Sequence, residues 1–353
     1  MKLRKGIFHG AAALVAATIA THASAQADDV AGFYKGKRIS VYIGSSPGGG
    51  YDTYSRLIIR HFGKYIPGKP EMLPRNMPGA SSRRAAAYLY NVASKDGLSL
   101  GVVNQELPLA QALGEKMNFN TLKFEWIGSP DYDVRVVTTW HTSGVKTIED
   151  AKRKSITMGA TGPVSASGYP EMLNTLFGTK FRSVRGYKGG AAVNLAMERG
   201  EVHGRADNAW SSWQGDHADW IRDKKIHIIV QVGLERSPDL PDVPLLMDLA
   251  KDPDLREVLK LISTSGSMGH PVIAPPGVPK ERVIALRRAF DATMKDAAFL
   301  KDAKAVGRPI RPVTGERLEK IAGDVLAAPQ HIKDRAKTLA PVKKRKKKKK
   351  KKN

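Results

Sequence analysis

The sequence predicts an α/β protein of two lobes, each a mostly parallel sheet flanked by helices, with a ligand cleft between the lobes. Short strand patterns alternate with amphipathic helical patterns along most of the 353 residues. The connections between them are short, which is typical of parallel sheets with helices on both faces. A loop rich in small residues follows a strand in each half of the chain, and ligands of open α/β sheets bind at such strand ends.

The first of these loops, residues 46–52, joins a predicted strand at residues 39–43 to a predicted helix. The apolar face of that helix is formed at helical spacing by Tyr54, Leu57, Ile58, Phe62 and Tyr65. Three successive glycines in the loop allow positive φ and let backbone N–H groups approach a ligand closely. The helix start adds unpaired N–H groups and the positive end of its dipole. The loop is therefore a candidate anion site.

Strands and helices continue to alternate up to residue 130. The patterns predict strands at residues 72–76, 98–103 and 124–128 and helices at residues 83–92 and 106–113. Ser81 and Ser82 precede the helix at residues 83–92. We expect their hydroxyls to cap its free N–H groups.

The alternation restarts after Pro130. Predicted strands lie at residues 134–140, 156–159, 181–185, 204–207 and 226–232, and predicted helices at residues 148–154, 170–177 and 191–199. The second small-residue loop, residues 160–168, follows the strand at residues 156–159. Beyond a proline-rich connector, the patterns predict a buried strand at residues 272–274 and helices at residues 279–294 and 316–326. Two such units predict a crevice between lobes.

The N-terminal segment has the pattern of a secretory signal peptide. A basic start is followed by a short apolar run at residues 11–20, and Ala23-Ser-Ala25 fits the small-residue cleavage pattern. We therefore expect residues 1–25 to be removed after Ala25. The chain has no cysteine for disulfides or for a lipid anchor. The expected location is the periplasm.

Most of the net charge of +24 comes from the ends of the chain. Ten of the 58 basic residues lie in residues 343–352 and three in the signal peptide, which leaves 45 basic against 34 acidic residues. Like-charge runs are solvated and self-repelling, so residues 343–353 are predicted to be a disordered poly-Lys tail. Nucleic-acid binding is not expected from the moderately basic body, which suits an anionic ligand.

The first loop does not match the nucleotide-binding motifs. Gly50-Tyr51 stands where a P-loop needs lysine and Ser/Thr, and Thr53 interrupts the dinucleotide pattern. The chain has no hydrolase nucleophile elbow and no HExxH pair. Asp131 and Asp133 are a possible metal pair, but a solvated turn is the favoured interpretation. No metal or cofactor is expected.

Two further groups have alternative interpretations. Asp52, just inside the helix start, either caps free N–H groups and orders the loop or meets a polar ligand group. The segment from Asp207 to Trp213 is expected at a strand end that faces the cleft. Its aromatic residues either form a pocket wall or pack in the core.

Several short motifs resemble one family in order and spacing. Pro47-Gly-Gly-Gly-Tyr-Asp52, Asn76-Met-Pro-Gly-Ala80 and Asp96-Gly97 resemble the opening of the extracytoplasmic solute receptors of tripartite tricarboxylate transporters, the Bug receptors. The resemblance continues through Gly186-Tyr-Lys-Gly-Gly190, Arg199-Gly-Glu-Val202, Pro238-Asp-Leu-Pro-Asp-Val-Pro244 and Ala274-Pro-Pro-Gly-Val-Pro279, and so covers residues 32–340.

This resemblance implies a type II periplasmic-binding-protein fold, with residues 26–130 and 245–342 in lobe 1 and residues 131–244 in lobe 2. It implies a closing cleft in which ligand carboxylates meet backbone amides and small hydroxyls of two loops. The ligand-binding residues that it implies are Ser46, Pro47, Gly48, Gly49, Gly50, Tyr51, Asp52, Thr161, Gly162, Ser165, Ser167, Tyr187 and Asp207.

The chain departs from the family pattern at two places. Tyr51 stands where the family usually has Thr or Ser, and Ser81-Ser-Arg83 replaces the common Gly-Gly. The larger side chain of Tyr51 would narrow the pocket or stack on a ligand. We therefore do not expect citrate to be the ligand on the basis of the family resemblance.

The expected function is a periplasmic solute receptor, not an enzyme. It would bind a small organic carboxylate, as a monomer, and deliver it to integral-membrane permease subunits. One alternative is an enzyme that binds a small anion or phosphate ester at the glycine loop. A second is a polyanion-binding protein that acts through the lysine tail.

Overall fold

The computed structural model describes residues 29–161, 165–187 and 189–339, apart from the side chains of residues 165–167. The predicted signal peptide, the lysine tail and Gly162 lie outside the described residues. Within these ranges the chain forms one sheet of six strands and one of five. None of the helices in them combines the length and the apolar composition needed to cross a membrane.

The strands follow the predicted order along the chain, with one short strand added near its end. They are β1 (Arg38–Ile43), β2 (Glu71–Asn76), β3 (Ser99–Val102), β4 (Glu125–Ser129), β5 (Arg135–Trp140), β6 (Ile156–Ala160), β7 (Phe181–Arg185), β8 (Gly204–Ala209), β9 (Ile226–Val232), β10 (Val272–Ala274) and β11 (Val313–Thr314).

The helices cover the faces of both sheets. They are α1 (Gly50–Phe62), α2 (Arg83–Asn91), α3 (Leu107–Ala112), α4 (Ile148–Arg153), α5 (Ser165–Phe177), α6 (Gly190–Glu198), α7 (Trp210–Asp216), α8 (Ala218–Arg222), α9 (Pro253–Ser263), α10 (Lys280–Met294), α11 (Ala297–Ala305), α12 (Gly315–Ala327) and α13 (Gln330–Leu339). Helices α7, α8, α9, α11 and α13 are additional to the predicted ones.

Both sheets are built on the same plan. The strand orders are β11-β4-β10-β3-β1-β2 and β7-β6-β8-β5-β9. Each has three neighbouring parallel strands, next to them one antiparallel strand, and beyond it one more strand in the first direction. The chain enters the antiparallel strand, β10 or β5, after crossing from the other sheet. The first sheet has one further strand at its edge, β11, which is antiparallel to β4. Four strands in each sheet therefore run in one direction, which confirms the predicted mostly parallel, two-lobed α/β class.

The two crossings between the sheets lie side by side. The first leads from β4 to β5, and the second ends just before β10. The Asp133 amide donates a hydrogen bond to the Gly266 carbonyl across them, at 3.1 Å. Gly269 has φ of +55°, and a Cβ there would lie 1.8 Å from the Asp131 carbonyl oxygen. Only glycine permits this close approach of the two segments.

Hydrophobic packing joins the elements into several clusters. One buries Ile39, Leu57 and Phe290, which lie on β1, α1 and α10 of the first sheet's side. Another contains Met172 of α5 together with apolar residues of α9 and α13. The assignment of residues 245–342 to lobe 1 stays a prediction. Parts of this segment, namely residues 245–247, α9, α13 and Val325 of α12, pack in the same cluster as strands of the second sheet.

Two local expectations are resolved by tertiary packing. Ser82 does not cap α2, because its backbone is left-handed with φ of +65° and its hydroxyl donates to the Gly44 carbonyl at 3.0 Å. Trp210 and Trp213 are buried in a core cluster, where the Trp213 indole donates to the Thr138 hydroxyl. These aromatics are therefore core residues.

Candidate ligand-binding cleft

Two adjoining cavities lie between the sheets, of about 300 and 560 Å³. Residues of the first glycine loop line the smaller one together with residues of α6, α7 and β8. The larger one extends towards Pro78–Ser82 and Tyr187. The residues that line both cavities are Ser45, Tyr51, Arg135, Gly189, Gly190 and Arg205.

The predicted glycine loop lies at the smaller cavity. Ser46, Pro47, Gly48, Gly49, Gly50 and Tyr51 all line it. Gly48 takes the positive φ expected of it, +83°. A Cβ on Gly50 would lie 2.5 Å from the Ser212 hydroxyl of α7, and one on Gly189 would lie 3.7 Å from Ser46. The loop therefore faces elements of the second sheet at close range.

Asp52 stabilises this loop by hydrogen bonding to its backbone. Its carboxylate accepts hydrogen bonds from the Gly48 amide at 3.1 Å, from Arg56 at 3.0 Å and from Asn76 at 2.8 Å. Burial by itself would raise the pKa of Asp52, but these hydrogen bonds lower it below the ordinary value. Of the two interpretations of Asp52, loop ordering is the one with contacts in the structure.

Tyr51 stands between the two cavities. Its hydroxyl donates to the Gln105 side chain and accepts from the Gln105 amide at 3.2 Å. Its ring packs on His270 with a centroid distance of 4.5 Å. Burial raises the pKa of Tyr51 far above its ordinary value, so the hydroxyl stays protonated. The hydrogen bonds and the ring contact hold the side chain in position.

A buried ion pair lies on the second sheet's side of the cleft. The Arg135 Nε donates to the Asp207 Oδ1 at 2.6 Å, and both side chains are about nine-tenths buried. Burial opposes the charge of Arg135, but the adjacent Asp207 outweighs it and raises the pKa of the guanidinium. Asp207, a predicted site residue, is thus held by Arg135 where it lines the larger cavity.

Arg205 lies beside this pair and lines both cavities. Its Nε donates to the Asp207 carbonyl oxygen at 3.2 Å, and its Nη1 donates to the Asn194 Oδ1 at 3.0 Å. The guanidinium lies so close to Gly190 that a Cβ there would be 2.6 Å from Nη2. Burial lowers the pKa of Arg205 to about 10, partly offset by Asp207, so it remains charged at neutral pH.

Asn194 and His217 continue the hydrogen bonds of Arg205. Because the Asn194 Oδ1 accepts from Arg205, its Nδ2 donates to the His217 Nε2, at 2.8 Å. His217 must then be neutral and protonated on Nδ1. Burial lowers the pKa of His217, which favours this neutral form.

The two crossover segments, which are the crossings between the sheets from β4 to β5 and just before β10, contribute a second buried pair. The His270 Nδ1 lies 2.8 Å from the Asp131 Oδ1, with side chains 2% and 1% exposed. The favoured sequence interpretation, a solvated turn, is therefore wrong for Asp131, because tertiary packing closes over it.

Asp133 accepts a hydrogen bond from the Ser211 amide at 2.6 Å. Burial, together with the nearby Asp131 charge, raises the pKa of Asp133 to about 6. The part of the chain described contains no group of three potential metal ligands.

The second predicted loop is described only in part. Thr161 and Tyr187 line the larger cavity, which places them with the first loop in one cleft. Gly162 lies outside the described residues, and Ser165 and Ser167 begin α5 without described side chains. Ligand contacts of these residues stay predictions.

Sequence patterns missed Arg135, Arg205 and His270. One signal was available for Arg205, because residues two apart on a strand share a face and Asp207 was expected to face the cleft. Arg135 and His270 carried no comparable signal, since their partners lie 72 and 139 residues away in the chain.

Comparison with known proteins gives structural matches alone. No family model and no curated protein matches the sequence. The periplasmic binding protein BugD is 19% identical, with 88% of this chain and 100% of that chain covered and a TM-score of 0.69. Rpa4515 of R. palustris with adipate is 15% identical, with 86% of this chain and 97% of that chain covered and a TM-score of 0.66. MatC of Rhodopseudomonas palustris with bound malate is 18% identical, with 84% of this chain and 99% of that chain covered and a TM-score of 0.64. The chain therefore has the two-lobed type II fold of periplasmic solute-binding proteins.

Proposed function

We propose that this protein is a periplasmic receptor that binds a small organic carboxylate between its lobes. The observation that carries the proposal is the composition of the cleft. A glycine loop at the start of α1 faces Gly189 and Gly190 at the start of α6, and Arg135 and Arg205 line the space between them. Backbone amides at helix starts and guanidinium groups are the groups that bind carboxylates in proteins.

The likeness of fold supports the same class of ligand. Two proteins with this fold, Rpa4515 and MatC, were solved with adipate and malate. Neither identity is high enough to transfer the ligand itself. We therefore propose the class, a small carboxylate, and take adipate and malate as the first members of a test panel.

The mechanism is capture by lobe closure, without a chemical step. A ligand closes the lobes only to the extent that it binds the closed state more tightly than the open one. Each charge-assisted hydrogen bond to a carboxylate contributes roughly 1.5–3 kcal/mol. About four of them support micromolar binding after ordering costs.

The remaining roles follow from the family resemblance. We propose that lobe 1 comprises residues 26–130 and 245–342 and lobe 2 comprises residues 131–244. The receptor would be exported by the signal peptide, act as a monomer in the periplasm and deliver its ligand to the permease of a tripartite tricarboxylate-type transporter. The predicted site residues, including Gly162, Ser165 and Ser167, belong to this proposal.

Thermal unfolding with a panel of mono-, di- and tricarboxylates tests the function. A ligand at one hundred times its Kd stabilises the folded state by about 2.7 kcal/mol, which raises Tm by several degrees. Solution scattering should show a smaller radius of gyration with the same compound. The matching uncharged amides serve as controls. If the whole panel changes neither Tm nor radius of gyration, the protein is not a carboxylate receptor.

A further inference from the structure

We infer that Arg205 is the residue that recognises a ligand carboxylate by direct ion pairing. This inference rests on the proposed function and assigns a specificity-determining residue to the same cleft. Arg205 lines both cavities, so we infer that a ligand in either one comes within reach of its guanidinium.

The hydrogen bonds of Arg205 bring no carboxylate of the described residues into contact with its guanidinium. Among the described residues they go to neutral acceptors, the Asp207 carbonyl and the Asn194 amide oxygen. Arg135 differs, because it donates directly to the Asp207 carboxylate. Asp207 is therefore engaged by its other neighbour, and the second guanidinium charge remains available to a ligand.

The surroundings of Arg205 hold it in one position. Asn194 is oriented by His217, and the lack of a Cβ on Gly190 leaves room for the guanidinium at the start of α6. Trp213 lies below it, with the guanidinium carbon 5.8 Å from the ring centroid. A fixed guanidinium loses little entropy when it binds a carboxylate, and two parallel N–H groups match its two oxygens.

A partly buried cation with neutral hydrogen-bond partners is costly to the protein alone. A ligand carboxylate restores the missing negative charge in a site screened from water, where the ion pair is stronger than in bulk solvent. Binding therefore depends on the ligand's charge more than on its shape.

The experiment compares Arg205→Gln and Arg205→Lys with the unaltered protein by calorimetric titration. The probes are succinate, adipate and benzoate and their full amides, which keep the shape but lack the charge. We expect Arg205→Gln to weaken carboxylate binding about 10- to 100-fold, the equivalent of one charge-assisted hydrogen bond or more. It should leave amide binding within about threefold, and Arg205→Lys should recover part of the loss.

Arg182→Gln is the matched control, because Arg182 is an exposed arginine of the same sheet and its replacement changes the net charge equally. Arg182→Gln should retain the preference for carboxylate over amide. If Arg205→Gln also retains that preference, the inference is overturned while the receptor function stands. If the unaltered protein binds acid and amide equally, the inference is likewise overturned.

If no carboxylate binds the unaltered protein, the proposed function fails and the inference fails with it. If Arg205→Gln does not fold, the comparison of acid with amide in the unaltered protein and in Arg205→Lys decides. A reduced carboxylate preference in the lysine variant, with amide binding kept, supports recognition by the guanidinium of Arg205. An undiminished preference in it overturns the inference.

Discussion

The Nδ1 of His270 lies 2.8 Å from the Oδ1 of Asp131, where the two crossover segments meet. The His270 ring also packs against Tyr51 and Tyr54 of α1, at centroid distances of 4.5 and 4.4 Å. The crossover segments and the helix that follows the glycine loop therefore form one packed unit. A change in the buried pair should alter both stability and the cleft.

Asp131→Ala should destabilise the protein by about 3 kcal/mol, because it leaves a buried imidazole without its partner. Urea unfolding at neutral pH measures the change. Asp302→Ala is the matched control, since Asp302 pairs with His61 at 2.9 Å but is 40% exposed. That control should cost much less than Asp131→Ala, because solvent screens the exposed pair. Equal costs for the two variants would show that burial does not strengthen the crossover pair.

Tyr51→Thr should change the order of affinities across the carboxylate panel. The substitution removes the ring that separates the two cavities and its hydrogen bonds to Gln105. The fold should be retained, because Tyr51 is only partly buried at the surface of the cleft. Titration with each compound measures the effect.

Tyr51→Phe separates the two contributions of this side chain. It keeps the ring against His270 and removes only the hydroxyl. We expect the affinity order to be preserved in Tyr51→Phe. An unchanged order in Tyr51→Thr as well would mean that Tyr51 does not face the ligand.

Gly190→Ala should displace the Arg205 guanidinium, since the new methyl group would lie 2.6 Å from Nη2. We expect a weaker affinity for succinate or adipate, about 10-fold, with little change in Tm, because a side-chain end can move aside. Gly323→Ala in α12 is the control, because a Cβ there has open space. A normal affinity in Gly190→Ala would show that the position of Arg205 is not needed for binding.

His217 should make stability depend on pH. Burial lowers its pKa below the ordinary 6.5, opposed by Asp216, Asp219 and Glu198 and assisted by Arg205. Below pH 6.5 the unfolded chain therefore binds more protons at this site than the folded protein. The stability it contributes is present above about pH 6.5 and is lost as the pH falls towards the folded pKa.

His217→Gln tests this dependence, because glutamine does not titrate and its side-chain oxygen can accept from Asn194. The difference in Tm between variant and unaltered protein should be small at pH 8 and should shift in favour of the variant at pH 5.5. Asp133 titrates in the same region but is present in both proteins. A difference that is constant from pH 5.5 to 8 would contradict the lowered pKa of His217.

Asp52→Ala should destabilise the protein by roughly 1–3 kcal/mol and weaken carboxylate binding, because Gly48, Arg56 and Asn76 lose a shared acceptor. The folded pKa of Asp52 is lowered, so its contribution is present above about pH 4 and is lost as the pH falls through the folded value. Urea unfolding at pH 7 and at pH 3 measures it.

Asp254→Ala is the control for Asp52, because Asp254 also lies in a helix first turn but has a side chain 77% exposed. Its loss should cost well under 1 kcal/mol. If Asp52→Ala costs no more than this, the loop keeps its shape without the carboxylate.

The sequence alone determined the local units. The strand, glycine loop and helix around residues 39–62 are adjacent in the chain, so spacing and glycine content were sufficient to predict them. The same holds for the alternation that predicted two lobes. The placing of Thr161, Tyr187 and Asp207 at one cleft came instead from the family resemblance. Periodicity reports which face of an element is buried, and it does so without knowledge of the partner element.

Only the tertiary structure decided which charges meet. Arg135 pairs with Asp207, 72 residues away, and Asp131 pairs with His270, 139 residues away. The hydrogen bond from the Ser82 hydroxyl to the Gly44 carbonyl and the burial of Asp131 were likewise set by distant segments. Such pairs leave no periodic trace, because the energy of a buried charge depends on which groups the whole fold brings within a few ångströms of it.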